Sequence, residues 1–319
     1  MSFYKNKKIL IAGGTGFVGT HFIKPLHKLG AKLIVPIHKR KPQLKEKDII
    51  YKKCDLSNLE DCIKITKGVD YIFNASGTVS AAGMTVANPM SAISTNLILN
   101  FRILEASMIN NVKRILLFSS GTTGYPLSSK AMKEEDMFKK DPAEVYYGYG
   151  WSRRYTELLG KFVSSKSNLK VAICRPSAVY GKYDDFNPKT SHVVPALIER
   201  ACKKENPFIV WGTGNEIRDF LNAEDLIEGC IKLLQYKADC DPVNIASGTS
   251  TSIKQIVKII FDKLSLSSDS LIYDKSKPTT VPIRKINISK AKKLLNFQPK
   301  ISIEKGIMDT IDWYIENKT

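Results

Sequence analysis

Cysteine is scarce in this chain of 319 residues. The six present, Cys54, Cys62, Cys174, Cys202, Cys230 and Cys240, are scattered and form no Cys-x-x-Cys pair. So sparse a set does not staple a chain of this length, and reduced thiols are expected. Histidine is scarcer still. His21, His27, His38 and His192 make no His-Glu-x-x-His pattern and no His/Cys cluster, so no metal site is expected. Long apolar runs are missing: 8–12 and 115–118 are among the longest and fall far short of the roughly 20 residues that cross a bilayer. The opening MSFYKNKKILIAGG runs straight into a strand without a cleavable apolar leader, which makes the cytoplasm the expected compartment. Acid is also in short supply, 31 Asp and Glu against 49 Lys and Arg, for a net charge of +18. Such a surface attracts phosphate at long range. Its lysines are nevertheless spread along the whole chain, often beside Glu or Asp, as on solvated faces rather than a nucleic-acid platform. An anionic small molecule is the expected partner, with neither nucleic acid nor membrane.

What is present is a strong α/β pattern. With 43% hydrophobic and 9% aromatic residues, the chain can bury one large α/β unit and a smaller appended one. Short β-branched runs at 8–12, 32–36, 49–52, 71–74, 114–119 and 170–174 alternate with stretches of helical period such as 91–108 and 149–165. That alternation predicts a doubly wound parallel sheet with right-handed crossover helices. After Arg175 the prolines 176, 188, 195, 207, 278 and 282 punctuate shorter segments, whereas 219–246 reads as a return to the sheet. The predicted division is a dinucleotide-binding unit of 1–177 and 219–248 and a smaller C-terminal substrate-binding unit of 178–218 and 249–319.

The first strand feeds Gly13-Gly14-Thr15-Gly16-Phe17-Val18-Gly19 and then a helical stretch to Leu29 that contains Pro25, where a kink is expected. The glycines allow a tight turn, close approach of the backbone to a pyrophosphate, and packing of helix on strand. Gly13, Gly16, Phe17, Val18 and Gly19 are therefore predicted to bind the phosphates at the helix N-terminus, where free N–H groups favour an anion. The second strand ends in Pro36-Ile37-His38-Lys39-Arg40-Lys41. An NAD site would carry an acid there. The cations His38, Lys39 and Arg40 suit a 2′-phosphate instead, so NADP is the expected cofactor, with NAD the alternative. Asp55 is placed either at the adenine edge or as a helix N-cap.

Taken in order, Gly13 to Gly19, Asp55-Leu56, Ser119-Ser120, Tyr149-Gly-Trp-Ser-Arg153 and Arg175-Pro176-Ser-Ala-Val-Tyr180-Gly181 resemble the extended short-chain dehydrogenase/reductases, the nucleotide-sugar epimerases, dehydratases and reductases. The stretches 181–200, 211–220 and 276–278 look most like the GDP-L-fucose synthases. The resemblance implies a Rossmann fold, a homodimer, and a nucleotide-sugar substrate. It implies that Tyr149 exchanges a proton with the sugar carbonyl. Arg153, one helical turn later on the same face, stands where the family has a Lys that tunes the Tyr and holds the nicotinamide ribose. A guanidinium can stabilise a tyrosinate and bond ribose hydroxyls, but it does not relay protons.

The family's Ser or Thr position, counted back from Tyr125, is Gly121, which leaves Thr122 or Thr123 to bond the reacting oxygen. Ser119 is assigned to the strand end and the cofactor, and Pro176 to the nicotinamide border. His192 matches the family's epimerising His, while Thr123 holds the position of its Cys partner. A hydroxyl is a poor base without activation, so the resemblance points to an NADPH-dependent reductase of a 4-keto nucleotide sugar. A 4-epimerase that recycles bound cofactor, and a cofactor sensor that has lost turnover, are the alternatives. Arg218 is implied at the diphosphate and Trp211 against the base.

Overall fold

The computed structural model describes residues 3–44, 46–78, 90–277 and 279–318; Lys45 and Pro278 lie outside the described residues. Seven parallel strands form the central sheet in the spatial order Val243–Ile245, Lys170–Pro176, Arg114–Phe118, Tyr71–Asn74, Lys8–Ala12, Lys32–Ile37, Ile50–Lys53. The chain enters at the fifth position, winds outward to one edge, then crosses back and winds to the other. This is the doubly wound sheet that the alternating pattern predicts, with strand ends displaced by one or two residues. Strands buried on both faces read as continuous apolar runs because helices cover each face. Ile9 and Ile11 point into one core with Phe22, Leu26, Phe73 and Leu226. Leu10 and Ala12 point into the other with Ile72, Ile103 and Leu117.

Among the described residues, the helices Phe17–Lys28, Leu59–Thr66, Ser91–Ile109, Tyr147–Lys166 and Ala223–Tyr236 serve this sheet. The first runs to Lys28 with Pro25 inside it, and the Leu29 N–H still closes the last turn on the Pro25 carbonyl at 3.1 Å. A third core gathers Tyr180, Phe186, Leu197, Phe208, Ile256 and Ile307 from the later segments. It is built by the helices Val193–Cys202, Ile253–Leu264 and Ile303–Lys318 with the paired strands Phe208–Trp211 and Leu271–Asp274. The helix Ser289–Leu295, together with Phe297, joins the core of the large sheet instead. Ala178–Tyr180 runs parallel to Phe220–Asn222, stitching the carboxyl end of the sheet to the later segments. Among the described residues, no helix is long and apolar enough to cross a membrane.

Candidate active site

The glycine turn is shaped by steric necessity at two positions. Gly13 has φ +75°, and a Cβ there would lie 2.5 Å from the Ala75 carbonyl oxygen; at Gly19 a Cβ would meet the Gly13 oxygen at 2.1 Å. Only glycine lets the helix seat this closely on the turn. Gly16 is the N-cap and offers no side-chain cap, and the first turn holds no acid. The N–H groups of Phe17, Val18 and Gly19, which have no intrahelical acceptor, therefore remain for an external anion. The cradle fits a dinucleotide pyrophosphate.

At the end of the second strand, His38, Lys39 and Arg40 are exposed. His38 pairs with Asp55 at 3.7 Å, and no ion pair engages Arg40 among the described residues. Asp55 is not a helix cap, contrary to one of its two expected roles. Its Oδ1 accepts from the backbone N–H and hydroxyl of Ser57, and those bonds, with His38 and Lys39 nearby, lower its pKa. The cap of Leu59–Thr66 is Asn58, whose side chain accepts from the Asp61 N–H. Asn58 sits directly before the first helical residue, where the geometry favours a cap.

Tyr149 and Arg153 lie one turn apart on the helix Tyr147–Lys166, as the spacing predicts. The Arg153 Nη2 donates to the Tyr149 hydroxyl, and the guanidinium carbon stands 4.8 Å from the Tyr149 ring centroid. The Ser119 hydroxyl donates to the Arg153 carbonyl at 3.3 Å, so the sheet end and the helix are joined here. Ser120 organises the following turn: its Oγ accepts from the N–H groups of Thr122 and Thr123 at 3.2 and 3.0 Å. Thr123 Oγ1 is buried without a hydrogen-bond partner. The turn presses against the helix, since a Cβ on Gly150 would stand 2.5 Å from the Thr123 carbonyl oxygen. Gly121 donates to the Pro176 carbonyl at 2.8 Å, and a Cβ at Gly121 would meet that same oxygen at 2.8 Å. The backbone of the sheet end thus excludes any side chain at position 121.

Behind these residues, Glu157 continues the face of Tyr149 and Arg153 and holds Arg175 through two 2.7 Å bonds, with side-chain exposures of 0% and 1%. Arg175 also donates to the Tyr125 hydroxyl and the Glu134 carbonyl. Arg154 pins the outer loop by donating to the carbonyls of Gly124 and Lys140.

Like Arg154, two further buried arginines stand without a carboxylate among the described residues. Arg218 donates to the carbonyls of Ile217 and Pro282 and to the Thr280 hydroxyl. Arg284 donates to the carbonyls of Tyr125 and Pro126, and its Nε has no partner. Burial pushes the pKa of Arg284 down to about 10; the Tyr146 phenol opposes that fall and Arg218 adds to it. Burial likewise lowers Arg218. Sequence reasoning named Arg218 and not Arg284, which sits among 49 basic residues with no motif around it. Two uncompensated guanidiniums in one buried region attract a multivalent anion.

The remaining expected residues are dispersed. Trp211, 48% exposed, ends the strand Phe208–Trp211. His192 is the N-cap of Val193–Cys202 and makes no side-chain cap. The residue is exposed overall, but crowding around the ring lowers its pKa, while Asp185 opposes the fall. Neither residue is hydrogen-bonded to Tyr149 or Arg153. No group of three His, Cys, Asp or Glu side chains converges as a metal site among the described residues.

The profile of the NAD dependent epimerase/dehydratase family matches residues 9–246. A probable GDP-L-fucose synthase 1 of Oryza sativa subsp. japonica is 25% identical, aligned over 98% of this chain and 93% of its own length. GDP-mannose 3,5-epimerase of Arabidopsis thaliana is 27% identical over 98% and 83%. Among solved structures, a UDP-glucose 4-epimerase of Thermotoga maritima with UDP-glucose superposes with a TM-score of 0.88 at 23% identity, covering 98% of this chain and 100% of that one. The cradle, the Tyr149–Arg153 pair and the match over most of the chain lead to one conclusion: the protein belongs to the NAD dependent epimerase/dehydratase family of extended short-chain dehydrogenase/reductases, NAD(P)-dependent enzymes.

Proposed function

We propose that the protein is an NADPH-dependent reductase of a 4-keto nucleotide sugar. The observation that carries this reading is the Tyr149–Arg153 hydrogen bond beside a turn whose Thr123 hydroxyl is buried and unpartnered. The nicotinamide would supply the hydride. Tyr149 donates the proton to the carbonyl oxygen as charge builds on it, and Arg153 stabilises the phenolate that remains. Thr123, in preference to Thr122, offers the second hydrogen bond, because its hydroxyl has no other use in the fold. Arg218 and Arg284 take the diphosphate. Lys39 and Arg40 take the 2′-phosphate, so Arg40→Asp is expected to shift preference from NADPH toward NADH. The sugar then lies between the carboxyl edge of the sheet, the unit of 1–177 and 219–248, and the smaller unit of 178–218 and 249–319.

His192 favours a second reading as an epimerase, for it is an exposed residue whose pKa is lowered by crowding around the ring, which suits a general base. Thr123 offers it no thiol partner. We further propose a homodimer through the apolar faces of Ser91–Ile109 and Tyr147–Lys166, where Phe101, Tyr155, Leu158 and Phe162 are exposed.

The test is the absorbance of NADPH after addition of GDP-4-keto-6-deoxymannose, with NADH and other 4-keto nucleotide sugars in parallel. Substrate-dependent oxidation of NADPH is expected. Tight NADPH binding with no oxidation, but with interconversion of sugar epimers, would replace the reductase by the epimerase.

A further inference from the structure

His21 sits one turn beyond Phe17 in the helix whose first N–H groups form the phosphate cradle. Its side chain meets the segment at Lys182 and Tyr183. The ring is buried, its Nε2 lies 2.8 Å from the Lys182 carbonyl, and it packs edge-on against both Phe17, at 5.7 Å, and Tyr183, at 5.3 Å. Burial lowers its pKa to about 4, so near neutral pH it carries one N–H, and that hydrogen goes to the carbonyl. Tyr183 has φ +64°, which strains a non-glycine residue, so the chain reversal there needs outside support. A second tether arrives from the cofactor side: the exposed Gln43, three residues after Arg40, donates from Nε2 to the Tyr183 carbonyl at 3.3 Å.

The segment held by these tethers leads to the substrate side. Tyr183 packs edge-on against Trp313 at 5.1 Å, and Trp313 stacks on Phe186 in the third core. Beyond them Asp185 is fixed by the Thr190 hydroxyl and the Asn187 N–H, and the segment ends at Ser191, whose buried Oγ has no partner, and His192. We infer that His21 is a positioning residue through which the dinucleotide cradle holds segment 181–192 in its substrate-ready form, so that dinucleotide and sugar nucleotide bind cooperatively. This rests on the functional reading above. The cofactor orders the first helical turn and the loop 38–44. Those elements grip Lys182 and Tyr183, and the affinity gained on one side must appear equally on the other.

The test is calorimetric titration of the full chain with GDP and with UDP, in the absence and presence of saturating NADPH, without turnover. For the wild type, NADPH is expected to tighten nucleoside diphosphate binding about tenfold, within the usual range of coupling between sites. His21→Ala should reduce that factor to below about twofold while NADPH affinity stays near the wild-type value, and His21→Gln, which can place an amide N–H near the same carbonyl, should restore much of it. Gln43→Ala, an exposed change that leaves the core untouched, should reduce the factor in part and serves if His21→Ala does not fold. Coupling that survives both substitutions, or a loss of diphosphate affinity that is the same with and without NADPH, would overturn the inference. Wild-type protein that binds both ligands without coupling would overturn it and leave the functional reading standing; wild-type protein that binds no dinucleotide would overturn both.

Discussion

The proposed chemistry, at the level of single residues, turns on a guanidinium where the resemblance implies an ammonium. Arg153 donates to the Tyr149 hydroxyl and lies against its ring, so its charge is fixed where phenolate charge would develop. Tyr149→Phe removes the phenolic proton that the proposed mechanism transfers. Turnover is expected to fall by about 10³-fold with NADPH affinity unchanged, as fluorescence titration would show. A second residue, Asp184, is buried with Oδ2 unpartnered, and burial pushes its pKa up to about 8. A carboxyl whose folded pKa exceeds its unfolded one, about 3.9, stabilises fully below that unfolded value and loses the contribution as pH rises toward the folded one. Between pH 5 and pH 8 the wild type should therefore lose stability to urea relative to Asp184→Asn, by up to about 1.4 kcal/mol per pH unit. Equal pH dependence in the two proteins would refute the assignment.

Among the elements, the helix Tyr147–Lys166 does the most positioning. Tyr149, Arg153 and Glu157 recur every four residues on one face, and the last grips Arg175 in the adjacent strand. Removing one member of a buried ion pair leaves the other charge uncompensated. Arg175→Met is expected to cost about 3–5 kcal/mol in chemical denaturation, and adding Glu157→Leu should return most of it. Much of this layer was legible in the sequence. Continuous apolar runs marked the strands because both faces are covered, and the glycine spacing marked the cradle because φ and close approach admit nothing else there. The pair Tyr149 and Arg153 followed from the helical period. Arg284 was not legible, since its significance lies in what it fails to meet, and sequence does not display a missing partner. Nor was the capping residue, for the helix cap falls to Asn58 while Asp55 accepts from the hydroxyl and amide of Ser57. Capping is settled by a register of one or two residues, which is finer than the apolar pattern resolves.

For the whole molecule, the exposed apolar face is the feature that asks for a partner. Phe162 is 59% exposed on the same helix that carries Tyr149, and a cluster of this kind on a monomer's surface marks an interaction site. Phe162→Glu combined with Leu158→Glu is expected to convert the proposed dimer to monomer in sedimentation velocity with the helical content retained. A wild type that sediments as a monomer would refute the dimer. The turns that close the carboxyl edge of the sheet have a different consequence. Gly13 backs onto the Ala75 carbonyl and Gly121 onto the Pro176 carbonyl, so part of the floor of the site is peptide backbone against peptide backbone. Such a surface presents few side chains for mutation to alter. Three quarters of the residues differ from those of the Thermotoga maritima structure, at 23% identity, while the fold is kept at a TM-score of 0.88; backbone packed on backbone is one physical means by which a fold tolerates such drift.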